Sequence, residues 1–176
     1  TRNDDKNYGV MADGKLDQWQ PNAAHWEGRD PRLYATLFVP GMYWNGKGGE
    51  SAWYGGAAAS ISTVYVMKYF DPTDTGNCWD NGQDFYVVRY AEVLLSLAEA
   101  MVQKGGYDEK EVLSLVDQVR QRAGMPRVED VEGSGLSKDA LLQIIKHERR
   151  VELAFEGLRL FDLYRWHELD KAVQRV

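Results

Sequence analysis

Apolar positions along this chain follow two regimes. From residue 87 onward they recur with a helical period; before it they come in short runs punctuated by glycine and proline. Across 87–104, Val87, Tyr90, Ala91, Leu94, Leu95, Ala98 and Val102 share one face of a predicted helix that Gly105-Gly106 stops. Asp108 or a neighbour can cap a second helix reaching Arg122, with Val112, Leu115, Val116 and Val119 inward, before Ala123-Gly124 and Pro126 close it. Two helices joined by a short glycine turn predict one antiparallel αα-hairpin. Residues 128–135 are expected as loop. Ser137 then caps a third helix, with Asp139 and Ala140 in its first turn, leading into HERRVELAFEGLRLFDLYRW at 147–166. That stretch is too apolar for a linker, and its pattern predicts a buried helix broken or bent near Gly157.

The first half is poorer in regular structure. Residues 1–20 are polar, without period. Arg29-Asp30-Pro31-Arg32 predicts a turn, because proline pushes the preceding residue towards extended geometry. The apolar run 33–39, ended by Pro40-Gly41, suits a short helix or a strand, with extended structure favoured. Residues 41–60 form a glycine-rich loop carrying Tyr43, Trp44, Trp53 and Tyr54. The β-branched and aromatic run 61–70 suits a short strand, and 71–84 returns to turn chemistry. The division is a loop-rich segment, 1–86, and a helical one, 87–176, expected to form one compact domain.

Composition narrows the functions. The 176 residues are enough for a core, and 21 basic against 27 acidic side chains leave a net charge of −6, which argues against nucleic acid as a ligand. Six Trp and ten Tyr enrich the chain in residues that often populate recognition surfaces. The single Cys78 excludes an internal disulfide, no run approaches the roughly 20 apolar residues of a membrane span, and residues 1–10 lack a signal-peptide core.

Candidate chemistry centres on Glu148, Glu152 and Glu156, spaced i, i+4, i+8 on one helical stripe. Paired carboxylates suggest a glycosidase, but helix neighbours do not flank a sugar from opposite sides, and interleaved arginines would keep both ionised. A structural ion network is the expected reading, with Arg89, Glu92, Glu148, Arg149, Glu152, Glu156, Arg159 and Asp162 as its members; no catalytic residue is assigned. His147-Glu148 starts like HExxH, but Val151 occupies the second histidine position, so no metal site is assigned. Oxygen-bearing residues across 71–84 offer ligands for calcium, without EF-hand spacing. No other cofactor is implied. The binding candidates are Tyr43, Trp44, Asn45, Trp53 and Tyr54: a sugar's C–H face stacks on aromatic rings while its hydroxyls find polar partners.

Three blocks carry a family resemblance. ERRVELAFEGLRLFDLYRW resembles the C-terminal signature of the SusD/RagB family; VVRYAEVLLSLAEA at 87–100 resembles its RYAEV helix, with Ser96-Leu97 where Asn-Tyr is usual; VRQRAGMP at 119–126 resembles its RAG-x-P helix end. Asp30-Pro31-Arg32 resembles the family's D-x-R element. The resemblance implies a mainly α fold, the C-terminal part of a SusD-like fold, with a tetratricopeptide-like hairpin and long aromatic, glycine-rich loops, and a fragment of a longer chain whose leader and lipidated cysteine lie upstream. It implies a non-catalytic outer-membrane lipoprotein on the external face, binding an oligosaccharide or polysaccharide and delivering it to a SusC-like TonB-dependent transporter. A tetratricopeptide-like module that binds peptide or protein is the second reading, and a hydrolase the third. Tyr164 and Trp166, inside the signature, are assigned to packing; Trp19, Trp26 and Trp79 stay unassigned.

Overall fold

The computed structural model describes residues 28–38, 65–69 and 84–174. The chain divides into two compact units, Thr1–Phe85 and Tyr86–Val176. In the first, α1 (Arg32–Thr36) runs directly into β1 (Leu37–Phe38), which pairs antiparallel with β2 (Tyr65–Val66), Leu37 opposite Val66. The expected extended run 33–39 is therefore helical in its first part. Asp30 explains the helix start: its carboxylate accepts the Arg32 amide at 2.9 Å and the Arg32 guanidinium at 2.6 Å, satisfying an otherwise orphaned helix donor. Burial pushes the Asp30 carboxyl up, but the Arg32 hydrogen bonds and charge outweigh it and hold the group below its ordinary value. The expected strand 61–70 is observed at Tyr65–Val66 among the described residues.

The second unit is helical: α2 (Tyr90–Lys104), α3 (Glu109–Arg122), α4 (Val128–Glu132), α5 (Lys138–Glu152), α6 (Arg159–Arg165) and α7 (Leu169–Val173). Its core lies among α2, α3 and α5, with α2 packed against both partners. Leu95, Ala98 and Val102 of α2 meet Val112 and Val116 of α3 and Leu141 and Ile145 of α5, all buried. Each large apolar side chain removed from water there contributes about 1.5–3 kcal/mol. The caps fall where the sequence placed them: the Asp108 carboxylate accepts the Lys110 amide at 3.0 Å, and Ser137 Oγ accepts the Ala140 amide at 3.2 Å.

Two differences have identifiable causes. The helix expected from 87 begins at Tyr90, and Val87 and Tyr90 are exposed, because Arg89 is extended (φ −130°, ψ 158°). The expected loop 128–135 contains α4, since buried Asp117 accepts the Val128 amide at 2.8 Å and Val128 enters the core. After Glu152 the chain breaks as expected: Phe155 (φ 63°) and Gly157 (φ 78°) take left-handed backbone, which turns the path into α6.

Candidate functional site

The carboxylate stripe of α5 faces arginines brought from α2 and α3. Glu148 accepts from Arg120 at 3.2 Å, and Glu152 from Arg122 and Arg89, both at 2.6 Å. Glu156, beyond the helix, accepts Arg89 Nε through both oxygens, at 3.0 and 2.8 Å. Arg89 also donates to the Glu152 carbonyl at 2.7 Å, so one guanidinium caps an orphaned acceptor at the C-terminus of α5 and neutralises two acids. Burial acts to lower the Arg89 pKa, yet the Glu156 and Glu152 hydrogen bonds prevail and hold it above the usual arginine range.

A second centre joins α5, α6 and α2. Arg149 meets Asp162 through two parallel hydrogen bonds, both 3.0 Å, and donates to Ser96 Oγ at 2.9 Å. Both Arg149 and Asp162 are buried. Arg165 donates to Asp162 at 2.9 Å and grips both oxygens of buried Glu99, which also accepts the Trp166 indole N–H at 2.7 Å. Burial alone would raise the Glu99 pKa; the Arg165 and Trp166 hydrogen bonds outweigh it and lower the group below its ordinary value. For Arg165 burial acts downward, and the hydrogen bonds to Glu99 and Asp162 raise it.

Of the expected network, Arg89, Glu148, Arg149, Glu152, Glu156 and Asp162 are gathered here. Glu92 does not join it: among the described residues it has no ion pair, and it lines a cavity of about 420 Å³ beside Ser96, Arg149, Phe161 and Arg165. Arg159 lies instead with its guanidinium 5.7 Å from the centroid of the Trp166 ring. Glu99, Arg120, Arg122 and Arg165 are members that helical spacing alone did not find, although all four lie inside the three motif blocks. Trp166 is half-buried, whereas Tyr164, expected in packing, is 58% exposed. Tyr43, Trp44, Asn45, Trp53 and Tyr54 lie outside the described residues, as does the 71–84 stretch apart from Asp84.

Chemically, this arrangement fixes helices: Glu152 and Asp162 accept from guanidinium groups, and Glu99 from a guanidinium and an indole. Among the described residues no cluster of His, Cys, Asp or Glu could hold a metal ion, and no helix is long and apolar enough to cross a membrane.

The sequence profile of the SusD family matches residues 7–176. The chain belongs to the SusD family. It is 34% identical over 113 residues to SusD-like protein P2 of Formosa agariphila, covering 60% of this chain and 22% of that protein. To SusD-like protein P38 of the same organism it is 33% identical over 138 residues, 74% of this chain and 26% of that one. The crystal structure of a SusD-like protein from Bacteroides fragilis superposes with a TM-score of 0.62 at 26% identity, covering 89% of this chain and 34% of that one. The SusD-like fold and its mainly helical character are thus established, and the chain spans about a quarter of the curated relatives it matches.

Proposed function

We propose that this chain is part of a non-catalytic glycan-binding protein at the external face of the outer membrane, lipid-anchored in its full-length form, which hands oligosaccharide to a SusC-like TonB-dependent transporter. Membership of the SusD family across residues 7–176 carries this reading. The ion network supports it from the chemical side. The carboxylates that most resemble an acid and base pair are held between arginines and fix α2, α3 and α5 to one another. In this reading the helical unit is the scaffold, and sugar is held by the aromatic loop bearing Tyr43, Trp44, Asn45, Trp53 and Tyr54.

The test is calorimetric titration of the full-length protein with soluble oligosaccharides, followed by assay for new reducing ends. Saturable binding that Trp44→Ala or Trp53→Ala weakens at least about tenfold, with no new reducing ends, is the expected result. Binding of peptides in preference to every glycan would move the assignment to a peptide-binding module, and new reducing ends would make the protein a hydrolase.

A further inference from the structure

On the side of α5 away from the hydrophobic core, a cleft of about 290 Å³ opens between α5, α6 and α7. Lys146, His147, Arg150, Arg159 and Lys171 line it, and Glu168 is the sole acid in the lining. Glu168 is engaged with Lys146 at 2.7 Å, so this acid and base offset each other. Arg150 and Lys171 then leave two positive charges, beside Arg159, on one concavity of a chain whose net charge is −6. Arg150 and Lys171 are exposed and, among the described residues, have no ion-pair partner.

The cations are also arranged. Lys146 Nζ stands 4.9 Å and the Arg159 guanidinium 5.7 Å from the centre of the Trp166 ring, so the indole fixes two long side chains that would otherwise wander. The ring itself is tethered through its N–H to Glu99. A concavity walled by like charges concentrates the field and attracts an anion more strongly than scattered surface lysines do. Guanidinium groups suit planar or tetrahedral oxyanions, which accept two hydrogen bonds from one fork. The volume sits at the lower edge of ligand pockets, about 300–1,000 Å³, which suits one sugar residue with its charged substituent rather than a length of chain. A lipid headgroup is the poorer fit, because only Leu163 and Ala172 of the lining are apolar and the site is concave.

We propose that this cleft binds the carboxylate or sulfate ester of an acidic sugar, so that the glycan taken by the protein is anionic. The inference rests on the glycan-binding reading and adds a second point of attachment, on the helical scaffold. The test titrates full-length protein, wild type and Arg150→Gln/Lys171→Gln, with a glucuronate-bearing oligosaccharide, a sulfated one, their neutral counterparts, free glucuronate, and phosphatidylglycerol vesicles. Both substituted residues are exposed, so the variant keeps its fold. At least one acidic oligosaccharide is expected to bind roughly tenfold tighter than its neutral counterpart, with the preference lost in the variant and neutral binding unchanged. Equal affinity for acidic and neutral probes, or a preference that survives in the variant, overturns the cleft and leaves glycan binding standing. If no oligosaccharide binds but free glucuronate does and the variant abolishes it, the glycan reading falls and the anion site remains. Vesicle binding that alone depends on Arg150 and Lys171 would overturn the sugar assignment in favour of a lipid phosphate. Binding of no probe would overturn both readings.

Discussion

Arg149 and Asp162 illustrate how a charged residue behaves in this interior. Both are buried and matched by two parallel 3.0 Å hydrogen bonds, so removing Asp162 leaves Arg149 charged and desolvated without its carboxylate. Asp162→Ala should lower stability by about 3–5 kcal/mol in urea unfolding, and Arg149→Met/Asp162→Ala by less than the sum of its parts. Glu99 sets a pH dependence. Its folded pKa lies below its ordinary value, so its contribution is complete above that ordinary value of 4.5 and disappears as pH falls through the lowered one. Thermal melts should show wild type losing its advantage over Glu99→Gln across that acidic window, while at pH 7 the advantage is constant. The spacing of Glu148, Glu152 and Glu156 made a stripe of acids legible in the sequence. Of their partners Arg89 was expected but Arg120 and Arg122 were not, because these two come from another helix and helical periodicity says nothing about which element docks alongside. Ser96 makes the same point: a small hydroxyl in the middle of α2 carries no signal of its own, yet it receives an arginine from α5.

At the level of elements, the caps and breaks carry the information. Asp108 and Ser137 announced their helices because capping is local chemistry, and Gly157 announced a break because left-handed backbone there needs no Cβ. A Cβ added at Gly157 meets no atom within 4 Å, so Gly157→Ala carries only the conformational penalty and should destabilise by about 1 kcal/mol. Phe155, at φ 63° and largely exposed, predicts the opposite sign: Phe155→Gly should stabilise by up to about 1 kcal/mol in the same denaturation assay. The helix missed at 128–135 is the one whose cause was distant. The helix α4 forms because Asp117, 11 residues earlier, captures the Val128 amide, and no window centred on 128–135 contains that carboxylate.

For the molecule as a whole, the periodic positions Leu94, Leu95, Ala98, Val102, Val112 and Val116 identified the core of the helical unit correctly. Leu95 is fully buried among them, and Leu95→Ala should cost about 2–5 kcal/mol, with the loss appearing as a lower midpoint at unchanged slope in urea. The aromatic loop was legible only as composition, since stacking geometry depends on how distant turns fold together, and its residues fall outside those described. The charged clasp has one more consequence, which concerns time rather than energy. Arg89 and Glu156 are separated by 67 residues, Arg165 and Glu99 by 66, and Arg149 and Ser96 by 53. During synthesis α2 and α3 leave the ribosome long before the acids and arginines of residues 148–165 exist, so the hairpin must collapse on its apolar face and wait for its charges. The long sequence separations place closure of the clasp, as an expectation, on the native side of the folding barrier. Arg89→Ala should speed unfolding in stopped-flow dilution while leaving the refolding rate nearly untouched, so the residues that hold this fold longest are among the last to arrive.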